Sequence, residues 1–338
     1  MANYVSTFVS GLQEPIKALI LKYIKGVKII QILDGLVVYE SSADVNRIRQ
    51  LGFFNNSFIL LKQFDKKINF EEMIKESADS AKEFSEVIKR SLGKKDKYFR
   101  IVCSDENEFV SVDKKQLSIL EKVISTQNFL RLDIYSPDLE FWFLRRSEGK
   151  GFFMLRLTKN ISNKELHRGE LRPELSFIMN FLSEPSSSDV FLDCFCGYGS
   201  VPYSRTKNFP FKAVICSDID SKCVEVTQKK MREIQSSAKI VVKKADFFEH
   251  AEAENSVDKI VTDPPWGEFT KIEDIEQFYF KILGEFYRVL RKNGIVVFVS
   301  SRKDEVENAI KRFGNFKLDK KYDVLVNGKK AGIYRLLK

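Results

Sequence analysis

Long apolar runs are missing from this sequence, and no stretch approaches the ~18 residues that a bilayer-spanning helix needs. Its first ten residues lack both a basic stretch and a long apolar core, so no secretory leader is expected. The five cysteines (Cys103, Cys194, Cys196, Cys216 and Cys223) are odd in number and include no Cys-x-x-Cys pair. That excludes a disulfide scaffold or a zinc finger and suits a reducing cytoplasm. The only two histidines, His167 and His250, lie far apart without acidic residues at ligand spacing, so no metal is expected. What is present is an ordinary globular balance, 43% hydrophobic and 30% charged residues, which excludes a wholly disordered chain. At roughly 100–200 residues per domain, 338 residues imply two or three domains.

The net charge of +9 fits a polyanionic partner, and it equally fits a set of solvated lysine faces. Residues 1–160 hold 26 basic and 21 acidic side chains, and residues 161–338 hold 30 and 26. The excess is therefore +5 and +4, spread over both halves with no basic tail. A nucleic acid would be met by folded surfaces.

The first 63 residues alternate strand and helix patterns in the order β-α-β-β-α-β, with Asp34-Gly35 as a hairpin turn. This order matches a ferredoxin-like unit, and other small α+β layers share it. Residues 64–96 are charged and helical, with Phe70, Met73, Ile74, Ala81, Phe84 and Ile88 on one face. Strands are expected at 98–103, 130–134, 139–144 and 152–157. The loop between the last two carries Arg145, Arg146 and Lys150, candidates for RNA contact or simply a solvated basic turn. From about residue 170 short apolar runs alternate with long helices, the signature of a buried parallel sheet. The helix over 272–290 is expected to be capped by Gly294, and the chain ends in a hairpin around Asn327-Gly328.

Four elements in the second half carry chemistry. Asp193-Cys-Phe-Cys-Gly197-Tyr-Gly199-Ser200 follows an apolar strand, and its glycines allow close backbone approach to a ligand. A third glycine is missing, which favours an adenosine cofactor without a pyrophosphate. Asp218 lies about 20 residues beyond the glycine turn, where a carboxylate accepts from both ribose hydroxyls; Asp220 could fill the same role, or cap a helix. Asp246 is placed to accept from an adenine amino group while Phe247 covers the ring, although a turn residue explains it as well. The fourth element, Asp263-Pro264-Pro265-Trp266, follows another buried strand. An exocyclic amine on a flat ring is a poor nucleophile because its lone pair is delocalised. The Asp263 carboxylate and Pro264 carbonyl would accept its hydrogens and turn the lone pair toward a methyl donor, while Trp266 stacks on the base. No cysteine follows Cys223, so covalent C5-pyrimidine chemistry is disfavoured.

With these motifs, residues 165–338 resemble the class I S-adenosylmethionine-dependent methyltransferases of the amino-methylating group. The stretch from His167 through Leu175, with Pro173 near a helix start, is similar to the segment before the glycine motif in RNA members. The first half resembles a ferredoxin-like domain (1–65) followed by a THUMP domain (66–160), and the whole resembles THUMP-containing RNA guanine-N2 methyltransferases. The resemblance implies an α/β fold: a Rossmann-like domain over 161–338, with a mostly parallel seven-stranded sheet ending in an antiparallel hairpin. It implies a cytoplasmic, monomeric enzyme acting on guanine N2 of tRNA, with the THUMP module measuring from the tRNA 3′ end. The implied cofactor set is Asp193, Phe195, Gly197, Gly199, Ser200, Asp218, Ile219, Asp246 and Phe247. Trp266 departs from the commoner Tyr or Phe, which leaves adenine N6 open beside guanine N2. Ribosomal RNA as the substrate, or a degenerate domain that binds RNA without modifying it, is also compatible with these motifs.

Overall fold

The computed structural model describes residues 1–65, 68–91, 93, 97–106, 108–158, 166–249, 252–268, 271–326 and 328–338. Two compact units emerge, one of Met1–Thr7 with Ile20–Asn163 and one of Phe8–Leu19 with Lys164–Lys338. His250 and Asn327 lie outside the described residues.

The first unit is built on one sheet. It contains β1 (Ala2–Thr7), β2 (Lys28–Leu33), β3 (Leu36–Ser41), β4 (Asn56–Phe64), β5 (Tyr98–Asp105), β6 (Glu108–Phe109), β7 (Arg131–Leu132), β8 (Leu139–Arg145) and β9 (Gly151–Arg156). Their order is β2-β3-β1-β4-β9-β8-β5-β6, with β7 also on β5. The β2–β3 hairpin turns at Gly35 with φ +75°, as Asp34-Gly35 implies. The strand expected over 130–134 shrinks to two residues, because the Asp133 carboxylate accepts from the amides of Tyr135 and Ser136 and bends the chain into a turn. The expected boundary at 65/66 falls within the sheet, since β4 and β9 pair from Phe58↔Arg156 to Phe64↔Gly151.

The second unit carries β10 (Val190–Asp193), β11 (Ala213–Asp218), β12 (Lys239–Lys244), β13 (Val257–Thr262), β14 (Leu290–Ser300), β15 (Lys317–Val326) and β16 (Lys329–Leu337). The sheet order is β12-β11-β10-β13-β14-β16-β15. The first five are parallel, and the terminal hairpin adds antiparallel strands, as the sequence predicts. Pro173 opens a helix at its first position (Pro173–Leu182), where its missing N–H costs nothing. The Gly294 expectation is corrected. The helix Ile275–Val289 runs directly into β14, and Gly294 lies in a bulge of that strand. A Cβ on Gly294 would stand 2.4 Å from Leu290 Cγ, so close packing explains the glycine. Among the described residues no helix is long and apolar enough to cross a membrane.

The chain winds outward from β10 through β11 to β12, then returns to β13 on the other side of β10. Ligands of open α/β sheets bind at such a reversal, outside the carboxyl ends of the strands. Asp193 ends β10 and Asp263 follows β13, so the topology itself brings the two motifs to one crevice.

Candidate active site

The glycine loop between β10 and the helix Ser200–Asn208 is held from three sides. The amide of Cys196 donates to the Ser217 carbonyl at 3.0 Å, and the amide of Gly197 donates to Asp218 Oδ2 at 2.8 Å. From the helix Ser221–Arg232, the buried Thr227 hydroxyl donates to the Gly197 carbonyl at 2.9 Å. Gly199 caps the first helix at φ +82°, and a Cβ there would sit 2.7 Å from Thr227 Oγ1. A Cβ on Gly197 would meet nothing within 4 Å. One glycine is therefore demanded by packing, while the other leaves its side of the loop clear for a ligand. Ser200 donates to the Leu171 carbonyl, and the His167 ring stacks on Tyr198 at 4.0 Å, tying the preceding segment to the loop.

Asp193 is buried and bonded within the protein. It is 1% exposed, and its Oδ1 accepts from the Thr262 hydroxyl at 2.7 Å and the Phe195 amide at 3.3 Å. It thus ties the carboxyl ends of β10 and β13 together. Burial pushes its carboxyl from 3.8 up to about 7, against the two hydrogen bonds and with help from Asp218. A carboxyl raised in the folded state stabilises most fully below 3.8, and that contribution is lost as pH rises through about 7. The melting temperature of the wild type is expected to fall between about pH 4 and 7, and Asp193→Asn to flatten that slope. The ceiling is about 1.4 kcal/mol per pH unit for one linked proton. Equal slopes in calorimetric scans of the two proteins would contradict the assignment.

On the adenosine side, Asp218 Oδ1 also accepts from the Asp220 amide, and each of its oxygens keeps lone-pair capacity for a ribose hydroxyl. Asp220 caps the following helix by accepting from the Lys222 amide. Ile219 is 64% exposed beside them, an apolar rim that adenine would cover. Asp246 accepts from the Phe248 amide. Phe247 differs from expectation: it is 3% exposed, with its ring in the core against Phe195 and Phe286 rather than over an open cleft. The glycine cradle, the Asp218 carboxylate and the Ile219 rim suit an adenosine cofactor. All five cysteines are free and buried, and burial pushes even the Cys223 thiol up to about 11, so no thiolate nucleophile is poised here.

The Asp263-Pro-Pro-Trp loop is tied down by residues that carry no motif. The Tyr279 hydroxyl, from the helix Ile275–Val289, reaches the Pro265 carbonyl at 3.2 Å and Ser300 Oγ at 2.7 Å. Arg302 Nε donates to the Trp266 carbonyl at 2.8 Å. The Trp266 indole N–H is shared between Asp263 Oδ1 at 2.9 Å and the Val299 carbonyl at 3.2 Å. Asp263 Oδ2 and the Pro264 carbonyl accept no hydrogen bond from the described residues. Burial raises the Asp263 carboxyl well above the usual carboxylate range; the Trp266 indole lowers it, and Asp193 raises it further.

The basic loop of the other unit is less available than its composition suggests. Arg145 is paired with Asp105, Arg146 with Glu106 and Glu148, and Lys150 with Asp65. A phosphate would have to displace a carboxylate at each.

Comparison with known proteins fits this geometry. Residues 203–331 match the family model UPF0020, described as the RMKL-like methyltransferase domain. A "Probable tRNA (guanine(10)-N2)-dimethyltransferase" of Methanothermococcus thermolithotrophicus is 34% identical over 137 residues, covering 38% of this chain and 81% of the relative. The tRNA (guanine(10)-N2)-dimethyltransferase of Methanocaldococcus jannaschii is 32% identical over 152 residues, covering 43% of this chain and 41% of that protein. The crystal structure of TrmN from Thermus thermophilus superposes over 100% of both chains with a TM-score of 0.76 at 18% identity, a likeness of fold. The chain belongs to the RMKL-like methyltransferases.

Proposed function

We propose that the protein methylates the exocyclic amine of an RNA base, guanine N2 of tRNA, using S-adenosylmethionine. One observation carries this reading. Of the hydrogen-bonding groups on the Asp263 loop, the Pro265 and Trp266 carbonyls and the indole N–H are tied to the protein, whereas Asp263 Oδ2 and the Pro264 carbonyl accept no hydrogen bond from the described residues. Two acceptors on one loop match an amine with two hydrogens. The names of the curated relatives support guanine N2 and tRNA. Five free, buried cysteines support a reducing cytoplasm as the working compartment.

When bound, S-adenosylmethionine supplies an activated methyl group at a sulfonium centre. Gly197, Gly199 and Ser200 would cradle it, Asp218 would accept from its ribose hydroxyls, and Ile219 and Asp246 would bound its adenine. Asp263 Oδ2 and the Pro264 carbonyl hold the amine hydrogens, which localises the nitrogen lone pair and aims it out of the base plane. The face of Trp266 stacks on the extruded base. The amine proton leaves to Asp263 or to water once the new N–C bond has formed.

Incubation with labelled S-adenosylmethionine and bulk tRNA or ribosomal RNA, followed by nucleoside analysis, tests the reading. N2-methylguanine in tRNA supports it. N6-methyladenine would keep the acceptor chemistry and overturn the base assignment; no labelled nucleoside would overturn the function. Gly199→Ala places a Cβ on a left-handed residue against Thr227. It is expected to weaken cofactor binding about fivefold to thirtyfold in titration calorimetry, from roughly 1–2 kcal/mol of backbone strain.

A further inference from the structure

Trp266 has two separable features, an aromatic face and an indole N–H. The methyl-transfer reading uses only the face. The N–H lies 2.9 Å from Asp263 Oδ1 and 3.2 Å from the carbonyl of Val299. Val299 belongs to β14, paired with Ile333 of β16 and followed by the Ser300 that Tyr279 holds. The indole is thus referenced to the rigid sheet, and through it so is Asp263.

An aspartate beyond the end of a strand has a broad terminal torsion and can present either oxygen, or neither, to a substrate. A single donor fixed on Oδ1 removes that freedom and leaves Oδ2 as the oxygen without a protein donor among the described residues. The geometry points to Trp266 as a positioning residue for methyl transfer: its indole N–H orients the Asp263 carboxyl so that Oδ2 meets the amine, independently of stacking by its ring. The inference rests on the methyl-transfer reading above.

A second consequence is electrostatic. Asp263 is faced by Asp193 at the end of β10, by the Tyr279 hydroxyl and by the indole of its own loop, while Arg302 beyond β14 faces Tyr279 and the Trp266 carbonyl. Trp266 is the neighbour that lowers its raised pKa. Without the N–H the carboxyl ionises at still higher pH, so the acidic limb of the rate profile must move upward.

The test replaces Trp266 with 3-benzothienylalanine, which keeps a bicyclic ring of the same size and has sulfur where the indole has N–H. The expected result is a kcat lower by about tenfold to hundredfold, the range for one hydrogen bond to a charged group. The KM for tRNA and the dissociation constant for S-adenosylmethionine stay unchanged, and the acidic limb shifts to higher pH. Trp266→Ala should raise KM as well. An unchanged kcat and acidic limb in the benzothienyl protein would overturn the positioning role.

A readout independent of activity comes from the indole resonances, since the chain has only two tryptophans. In Trp142→Phe the remaining indole N–H signal should titrate with Asp263 and lose that titration in Asp263→Asn. A signal indifferent to Asp263 overturns the contact even if the enzyme is active. A titrating signal in a wild type that methylates no RNA instead overturns the functional reading, and the inference with it.

Discussion

Replacing Asp263 with alanine is expected to lower kcat for methyl transfer by roughly 10²–10⁴-fold while leaving the S-adenosylmethionine dissociation constant within about twofold. The loss follows from the geometry. Asp263 Oδ2 accepts no hydrogen bond from the described residues, and without it the amine keeps its lone pair in the ring. The loop itself survives the change. Pro265 remains held by Tyr279, the Trp266 carbonyl by Arg302, and the indole N–H retains the Val299 carbonyl. Stability should not fall, because the substitution removes a carboxyl that burial already disfavours in its charged form. The same raised pKa sets the pH dependence: the ionised form is the better acceptor, so kcat rises with pH through that value. Single-turnover assays, calorimetry and thermal melts on one preparation separate the outcomes. Equal loss of transfer and cofactor binding would place Asp263 in the cofactor site, and loss of the fold would make it structural.

Much of the frame supporting this site is readable from sequence. Short apolar runs mark the parallel strands, Asp34-Gly35 marks a hairpin and Pro173 marks a helix start, because each is a local pattern with a local cause. The glycine motif and the Asp263–Trp266 motif are readable for the same reason: glycines, acids and prolines at fixed spacing after strands. What stays hidden is what depends on distant partners. Thr262 reaches Asp193 across 69 positions, Arg302 reaches Trp266 across 36 and Thr227 reaches Gly197 across 30. A threonine or a tyrosine carries no spacing signal, so nothing in the sequence distinguishes these from ordinary core residues. The partners of Asp193 are hidden for the same reason. A carboxylate at the end of a central strand serves a ligand or a neighbouring strand equally well, and only the position of Thr262 decides. Arg145 and Lys150 look free in the sequence because the acids that pair with them lie in other strands and loops, and Arg146 pairs with the distant Glu106 as well as with Glu148 of its own loop. Phe247 departs from its expected role because spacing cannot say which side of a turn a ring will take.

The largest stability effect is expected at Asp189, at the base of the cofactor helix rather than at its tip. Arg205, on the helix that starts at Ser200, is fully buried, and its Nη2 donates to Asp189 Oδ2 at 2.7 Å and to the Pro210 carbonyl at 2.9 Å. Its guanidinium lies over the Phe191 ring of β10 at 5.1 Å. Asp189 also accepts from the Ser186 amide, so the carboxylate joins the helix to the turn before β10. Asp189→Ala strands a buried guanidinium without its counter-charge, which costs roughly 3–5 kcal/mol. Removing both charges is a different matter: Asp189→Leu with Arg205→Met trades the pair for apolar volume and should recover most of the loss. Urea unfolding followed by fluorescence in a Trp142→Phe background reports the second unit alone, because Trp266 is then the only tryptophan. A cost below about 1 kcal/mol for Asp189→Ala would mean that water reaches the guanidinium and the pair behaves as a surface bridge. If the larger value holds, cofactor affinity should fall in step, because the helix that Arg205 anchors begins with the glycine loop.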